Sequence, residues 1–262
     1  MIDARKLRRS GIRARFYTSG VDQTADDVRA ALGERTDPDD AVQLARFFRT
    51  APGEYGAGDL FWGVRVPATR QVVRIFRGLA LDEVDALLDD PVHECRLAGV
   101  LILVAQYPRT PEVVAERYLA AVRRGRVNNW DLVDASAEFI LGPWLFDRDR
   151  ALLDELAASA SLWERRVAVL ATFDFIKRGD ASTTLHLAER LLADREDLIQ
   201  KAVGWMLREV GKRLDVDLLR AFLDQHAGAM PRTMLSYATE HLTADERARY
   251  RAVPRITRDP DH

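Results

Sequence analysis

Along most of the chain apolar residues recur every three to four positions, the spacing that gathers them on one face of a helix. The runs "DEVDALLDDP" (82–91), "PEVVAERYLAAVRRG" (111–125) and "DVDLLRAFLDQHAG" (215–228) show it most plainly. Turn-forming pairs punctuate the pattern at Asp90-Pro91, Gly125, Gly142-Pro143, Gly179-Asp180 and Gly228, and each is expected to stop a helix. Strand-length runs do not alternate with helical ones, and no glycine-rich phosphate loop is present. The pattern predicts an all-α protein made of many short helices.

A longer period lies over the short one. "HECRLAGVLIL" (93–103), "NNWDLVDASAEFIL" (128–141), "WERRVAVLATF" (163–173), "LIQKAVGWMLREV" (198–210) and "MPRTMLSYATEHL" (230–242) each open polar and continue as an apolar helix rich in small residues. Their anchors Arg96, Asp131, Arg166, Lys201 and Met234 are 35, 35, 35 and 33 residues apart. Two helices per repeat of that length define an α-solenoid, in which each pair buries its faces against its neighbours. The Trp/Gly/Tyr and Ala/Phe/Pro pattern of tetratricopeptide repeats is missing, so a HEAT-like helical-repeat solenoid with a concave groove is expected. In such a stack Arg96, Arg166, Lys201 and Arg232 would line the groove as a ladder. A solvated face with stray ion pairs is the plainer fate of such charges, and their repetition in register is what weighs against it.

Composition narrows the class. Apolar residues are 47% and charged residues 31% of 262, enough for a core and a hydrated surface. The single Cys95 stands among apolar neighbours, so a buried thiol in a reducing cytoplasm is expected. The N-terminus, "MIDARKLRRSGIRARF", is basic without an apolar core, unlike a secretory signal or membrane anchor. The longest apolar stretch, 97–105, is far short of a membrane span. Net charge is −2, yet residues 1–16 carry six bases against Asp3 alone while 25–40 are acidic, so local basic faces survive. This organisation predicts a basic arm (1–20), a repeat domain (21–250) and a tail (251–262). The five histidines lack metal-ligand spacing, and no metal is expected.

One stretch, "RVNNWDLVDASAEFI" (126–140), places Trp130 and Asp134 four residues apart, one above the other on a helix. Alone, this reads as a core aromatic beside a surface acid. Trp62, Trp144 and Trp163 read as packing residues.

Taken in order, "FWGVRVPATRQVVR" (61–74), "HECRLAGVLIL", "NNWDLVD", "LWERRVAVLATF", "LIQKAVGWMLREVGKR" and "MPRTMLSYATEHL" resemble the AlkD-like DNA alkylation repair family, over roughly residues 40–245. These are HEAT-like proteins that include alkylpurine DNA glycosylases. The resemblance implies that Trp130 and Trp205 are active-site tryptophans, Asp134 the catalytic carboxylate and Arg166 a groove arginine that holds phosphate. It implies excision of cationic N3- or N7-alkylated purines from double-stranded DNA by a monofunctional glycosylase. No cofactor, no metal and no membrane are expected, and a monomer in the cytoplasm at the nucleoid. Arg96, Lys201, Arg208 and Arg232 would add DNA contacts. The alternative is a non-catalytic HEAT-like module that binds DNA or protein through the same groove. Trp130 and Trp205 are about two repeats apart, which puts their helix axes roughly 16–20 Å apart at ~8–10 Å per packing step. A cationic purine leaves as a neutral base, so one carboxylate beside an oxocarbenium-like sugar suffices where ordinary glycosides need two.

Overall fold

Helix starts are written into the sequence as capping residues. In the computed structural model, which describes residues 23–255, Thr24 and Thr243 each close a capping box, and Asp37, Ser161 and Asp215 accept first-turn amides. The basic arm (1–20) and residues 256–262 of the tail lie outside the described residues. Fifteen helices and no strand occur among the described residues, apart from one isolated parallel bridge between Leu60 and Val92. The all-α expectation holds.

The described chain divides after Pro108 into two compact units. The first contains α1 (Ala25–Gly33), α2 (Pro38–Phe47), α3 (Val66–Phe76), α4 (Leu81–Leu88) and α5 (His93–Gln106). α5 is buried almost all round, Cys95 included, and packs on α1, α3 and α4. Its Glu94 accepts the backbone N–H groups of Trp62, Gly63 and Val64, which pins the 59–64 loop to the helix start.

The second unit contains α6 (Pro111–Arg123), α7 (Trp130–Asp134), α8 (Ala137–Leu145), α9 (Ala151–Ala157), α10 (Leu162–Lys177), α11 (Ser182–Arg190), α12 (Asp197–Arg213), α13 (Val216–His226), α14 (Arg232–Ala238) and α15 (Ala244–Ala252). Helix α10 is its centre. Residues 166–173, with Phe175 and Ile176, are buried, so the helix is enclosed on several sides, as an all-round apolar sequence requires. It packs on α6 to α9 on one side of the sequence and on α11 and α12 on the other. The repeat anchors fall on α5, α7, α10, α12 and α14.

One expected stop fails. Gly142-Pro143 lies inside α8, because Gly142 is where α8 meets α10. A Cβ there would stand 2.6 Å from the Asp174 Cβ and 2.7 Å from the Ala171 carbonyl oxygen, so the glycine serves close approach of two helices. The helix ends two residues after the proline. The run 128–141 is also broken, at Ala135-Ser136. The Ser136 hydroxyl bonds back to the Leu132 carbonyl at 2.6 Å and ends α7 after five residues.

Candidate active site

The short helix α7 carries both Trp130 and Asp134. Asn129 caps it and accepts the Trp130 N–H at 2.9 Å, and Asp134 is its last residue. Beneath it, the Ser136 hydroxyl lies 2.9 Å from the hydroxyl of Tyr118, a fully buried residue of α6. Burial pushes the Tyr118 hydroxyl far up, so it stays protonated and can donate to Ser136 while Ser136 donates to Leu132. Trp130 is half-buried.

Asp134 meets Arg166 of α10 in a two-point pair: Nε donates to Oδ1 at 2.9 Å and Nη2 to Oδ2 at 2.8 Å. The remaining arm, Nη1, donates to the Leu198 carbonyl at the start of α12 at 2.6 Å. The arginine side chain is 6% exposed and the carboxylate 21%. Arg166 therefore ties α7, α10 and α12 together, and Asp134 is the more open partner. Burial pushes the Asp134 carboxyl above the ordinary range; the Arg166 charge and hydrogen bonds pull it back only in part.

Trp205, on α12, is half-buried, donates from Nε1 to Glu209 at 3.2 Å and lies against Phe173 of α10, with ring centroids 5.8 Å apart at 58°. Since α10 packs on both α7 and α12, the tryptophan-bearing helices are neighbours of one central helix. Glu209 also binds Arg213 at 2.6 Å and Arg208 at 3.0 Å. Burial raises its carboxyl, but the two guanidinium groups outweigh that and hold it below the ordinary range. Lys177 and Arg213 stand over Phe173 at 4.5 and 5.1 Å, and Lys177 also pairs with Glu138 of α8.

The expected cations fare differently. Arg96 is 3% exposed in the first unit, and its guanidinium donates to Asp59 and to the Asp90 and Pro91 carbonyls. Arg166, expected to hold phosphate, has all three of its nitrogens engaged by the protein, two of them on Asp134. Arg208 is 19% exposed and bound to Glu209 and Glu240. Lys201 pairs with Asp197 at 2.6 Å. Arg232 is exposed and borders, with Leu235, Ser236 and Arg251, a cleft of about 330 Å³. No group of three His, Cys, Asp or Glu among the described residues could hold a metal ion, and no described helix is long and apolar enough to cross a membrane.

Sequence reasoning missed Glu209, Phe173 and the Tyr118–Ser136 support. The signals for the first two were present: Glu209 is four residues from both Trp205 and Arg213, and Phe173 lies seven after Arg166, on the same helix face. Nothing in the sequence pairs Tyr118 with Ser136.

This geometry defines an all-helical protein with a fixed, partly open carboxylate on α7 and half-buried indoles on α7 and α12, both helices packed on α10. The sequence profile described as "DNA alkylation repair enzyme" matches residues 28–242, and the chain belongs to that family. Among solved structures, a predicted DNA alkylation repair enzyme from Enterococcus faecalis has the same fold, with a TM-score of 0.63 at 18% identity over 80% of this chain and 98% of that one. No curated protein matches.

Proposed function

We propose that the protein is a monofunctional DNA glycosylase that releases cationic N3- or N7-alkylated purines from duplex DNA, with Asp134 as its catalytic carboxylate. The carrying observation is the Asp134–Arg166 pair, in which a buried guanidinium fixes both carboxylate oxygens while the acid keeps some exposure. In the reaction the C1′–N bond breaks and its electron pair neutralises the departing base. Asp134 stabilises the positive charge left on the sugar and accepts a hydrogen bond from the water whose oxygen adds to C1′. The released proton passes through the carboxylate to solvent. Arg166 acts through Asp134 as a positioning residue. Trp130 and Trp205 offer electron-rich faces to a cationic nucleoside, and Lys201, Arg208 and Arg232 contact phosphates, Arg208 by exchanging an acid for the backbone. The protein works as a monomer in the cytoplasm, at the nucleoid, without a cofactor.

A non-catalytic module that binds DNA or protein is the second reading. It is favoured by the self-neutralised state of Arg166 and Arg208, both of which are already bound to acids. Single-turnover release of 7-methylguanine and 3-methyladenine from methylated duplex decides between them. Wild type should release base, and Asp134→Asn should be roughly a hundred- to a thousandfold slower, the loss expected for one preorganised electrostatic group. Binding of the duplex should be unchanged or slightly tighter. Equal rates would remove Asp134 from the chemistry, and binding without release by either protein would establish the module.

A further inference from the structure

We propose that the outer face of α3, in the first unit, is a phosphate-binding surface for duplex DNA, built from Arg70, Arg74 and Arg77. The inference rests on DNA being the partner. Helix α3 reads VPATRQVVRIF and contains no acid. Its apolar side, Thr69, Val72, Val73 and Phe76, is buried against α1 and α5. On another side Arg70, Arg74 and the capping residue Arg77 follow at i, i+4 and i+7, all three exposed. Seven residues of helix rise about 10 Å, so three full positive charges share one short ridge.

Among the described residues none of these three side chains has an ion pair or hydrogen bond. Other exposed arginines are mixed: Arg65 pairs with Asp40, Arg123 with Glu155 and Arg148 with Glu112, while Arg46, Arg49, Arg109 and Arg195 also stand without an acid; what sets α3 apart is three such charges aligned on one acid-free helix. The chain has 41 acids for 39 bases, so carboxylates were not scarce. Like charges at i, i+4 repel and work against the helix that carries them. The helix dipole accounts for a base in the last turn but not for Arg70, which lies mid-helix. A partner that brings dense negative charge removes the conflict. Guanidinium groups match phosphate oxygens in two-point geometry, and duplex DNA presents a charge about every 1.7 Å of its axis. The surface reads no bases, since nothing but phosphate is asked of it.

The test is a titration of undamaged duplex across a salt series with wild type, the triple variant Arg70→Gln/Arg74→Gln/Arg77→Gln, and a control triple Arg123→Gln/Arg148→Gln/Arg220→Gln that loses the same charge from paired sites. The ridge variant should bind more weakly and lower the slope of log affinity against log salt by about 2 to 3, near 0.9 per lost phosphate contact. The control should keep the wild-type slope. The ridge is exposed, so the variant should melt no lower than wild type; Arg70→Gln alone, expected to remove about one unit of slope, covers any loss of fold. An unchanged slope, an equal loss in both triples, or tighter competition by duplex RNA than by DNA would overturn the proposal. Failure of the glycosylase reading would show as absent release with the slope difference intact, and failure of the ridge as intact release without it.

Discussion

Asp134 and Arg166 show how one pair can serve position and charge together. The carboxyl is raised by burial, so its ionised form is lost at a higher pH than an ordinary aspartate's. Base release should therefore fall as pH is lowered through that raised value, and the Asp134→Asn protein should lack this acid limb in a single-turnover pH series. The stability sign runs the other way. A folded pKa above the unfolded one means Asp134 helps folding most when protonated and contributes least at neutral pH, where Arg166 compensates. Removing the acid leaves the more buried arginine short of a partner, so Asp134→Asn should still cost about 2 kcal/mol at pH 7, read by denaturant unfolding. Arg166→Lys keeps a charge but loses the two-point geometry. It should slow release by roughly a hundredfold through misplacement of the carboxylate, with undamaged-duplex affinity little changed. A large affinity loss with normal release would return Arg166 to phosphate.

At the scale of elements, glycines and buried acids decide how closely helices stack. Gly204 sits where α12 crosses α14: a Cβ would lie 2.5 Å from the Met234 carbonyl oxygen and 2.7 Å from the Tyr237 Cβ. Gly204→Ala should push the helices apart, cost about 1–3 kcal/mol in unfolding measurements, and slow release because α12 carries Trp205. Glu209 organises the same helix from within, taking Trp205, Arg208 and Arg213 on one carboxylate. Its carboxyl is held below the ordinary range, so its contribution is present above the unfolded value of about 4.3 and lost as pH falls through the lower folded one. Glu209→Gln should melt well below wild type at pH 7, and the gap should narrow in acid. A constant gap would mean that shape, and not charge, is what Glu209 supplies.

For the whole molecule the question is how a chain of net charge −2 binds a polyanion. Among the described residues many cations are neutralised by acids within the protein, and others, Arg70, Arg74 and Arg77 among them, face solvent unopposed. Binding should be modest and steeply salt-dependent, with the slope counting phosphate contacts at about 0.9 each. Arg232→Gln should lower that slope by roughly one unit on every duplex sequence alike. Arg96→Gln should leave the slope unchanged and lower thermal stability, because that side chain is buried against Asp59.

The sequence alone determined the all-helical class, most of the helices and the placing of Trp130 and Asp134 on one short helix, because periodicity, capping residues and i, i+4 spacing are local properties; the expected two helices per repeat become three, α7 to α9, in the repeat anchored at Asp131. It also carried the family, through motifs whose order survives where each one is weak. What it left open was where each charge ends up. Arg96, Arg166 and Arg208 share a residue type and recur in repeat motifs, yet the first is buried on Asp59, the second clamps Asp134 and the third is held by Glu209 and Glu240. Those partners are 37, 32, 1 and 32 residues away along the chain, so all but one pairing exists only once the helices have packed. Gly142-Pro143 was misread for the same reason. A glycine that ends a helix and one that lets two helices touch look alike until the second helix is in place, and only the tertiary fold supplies it.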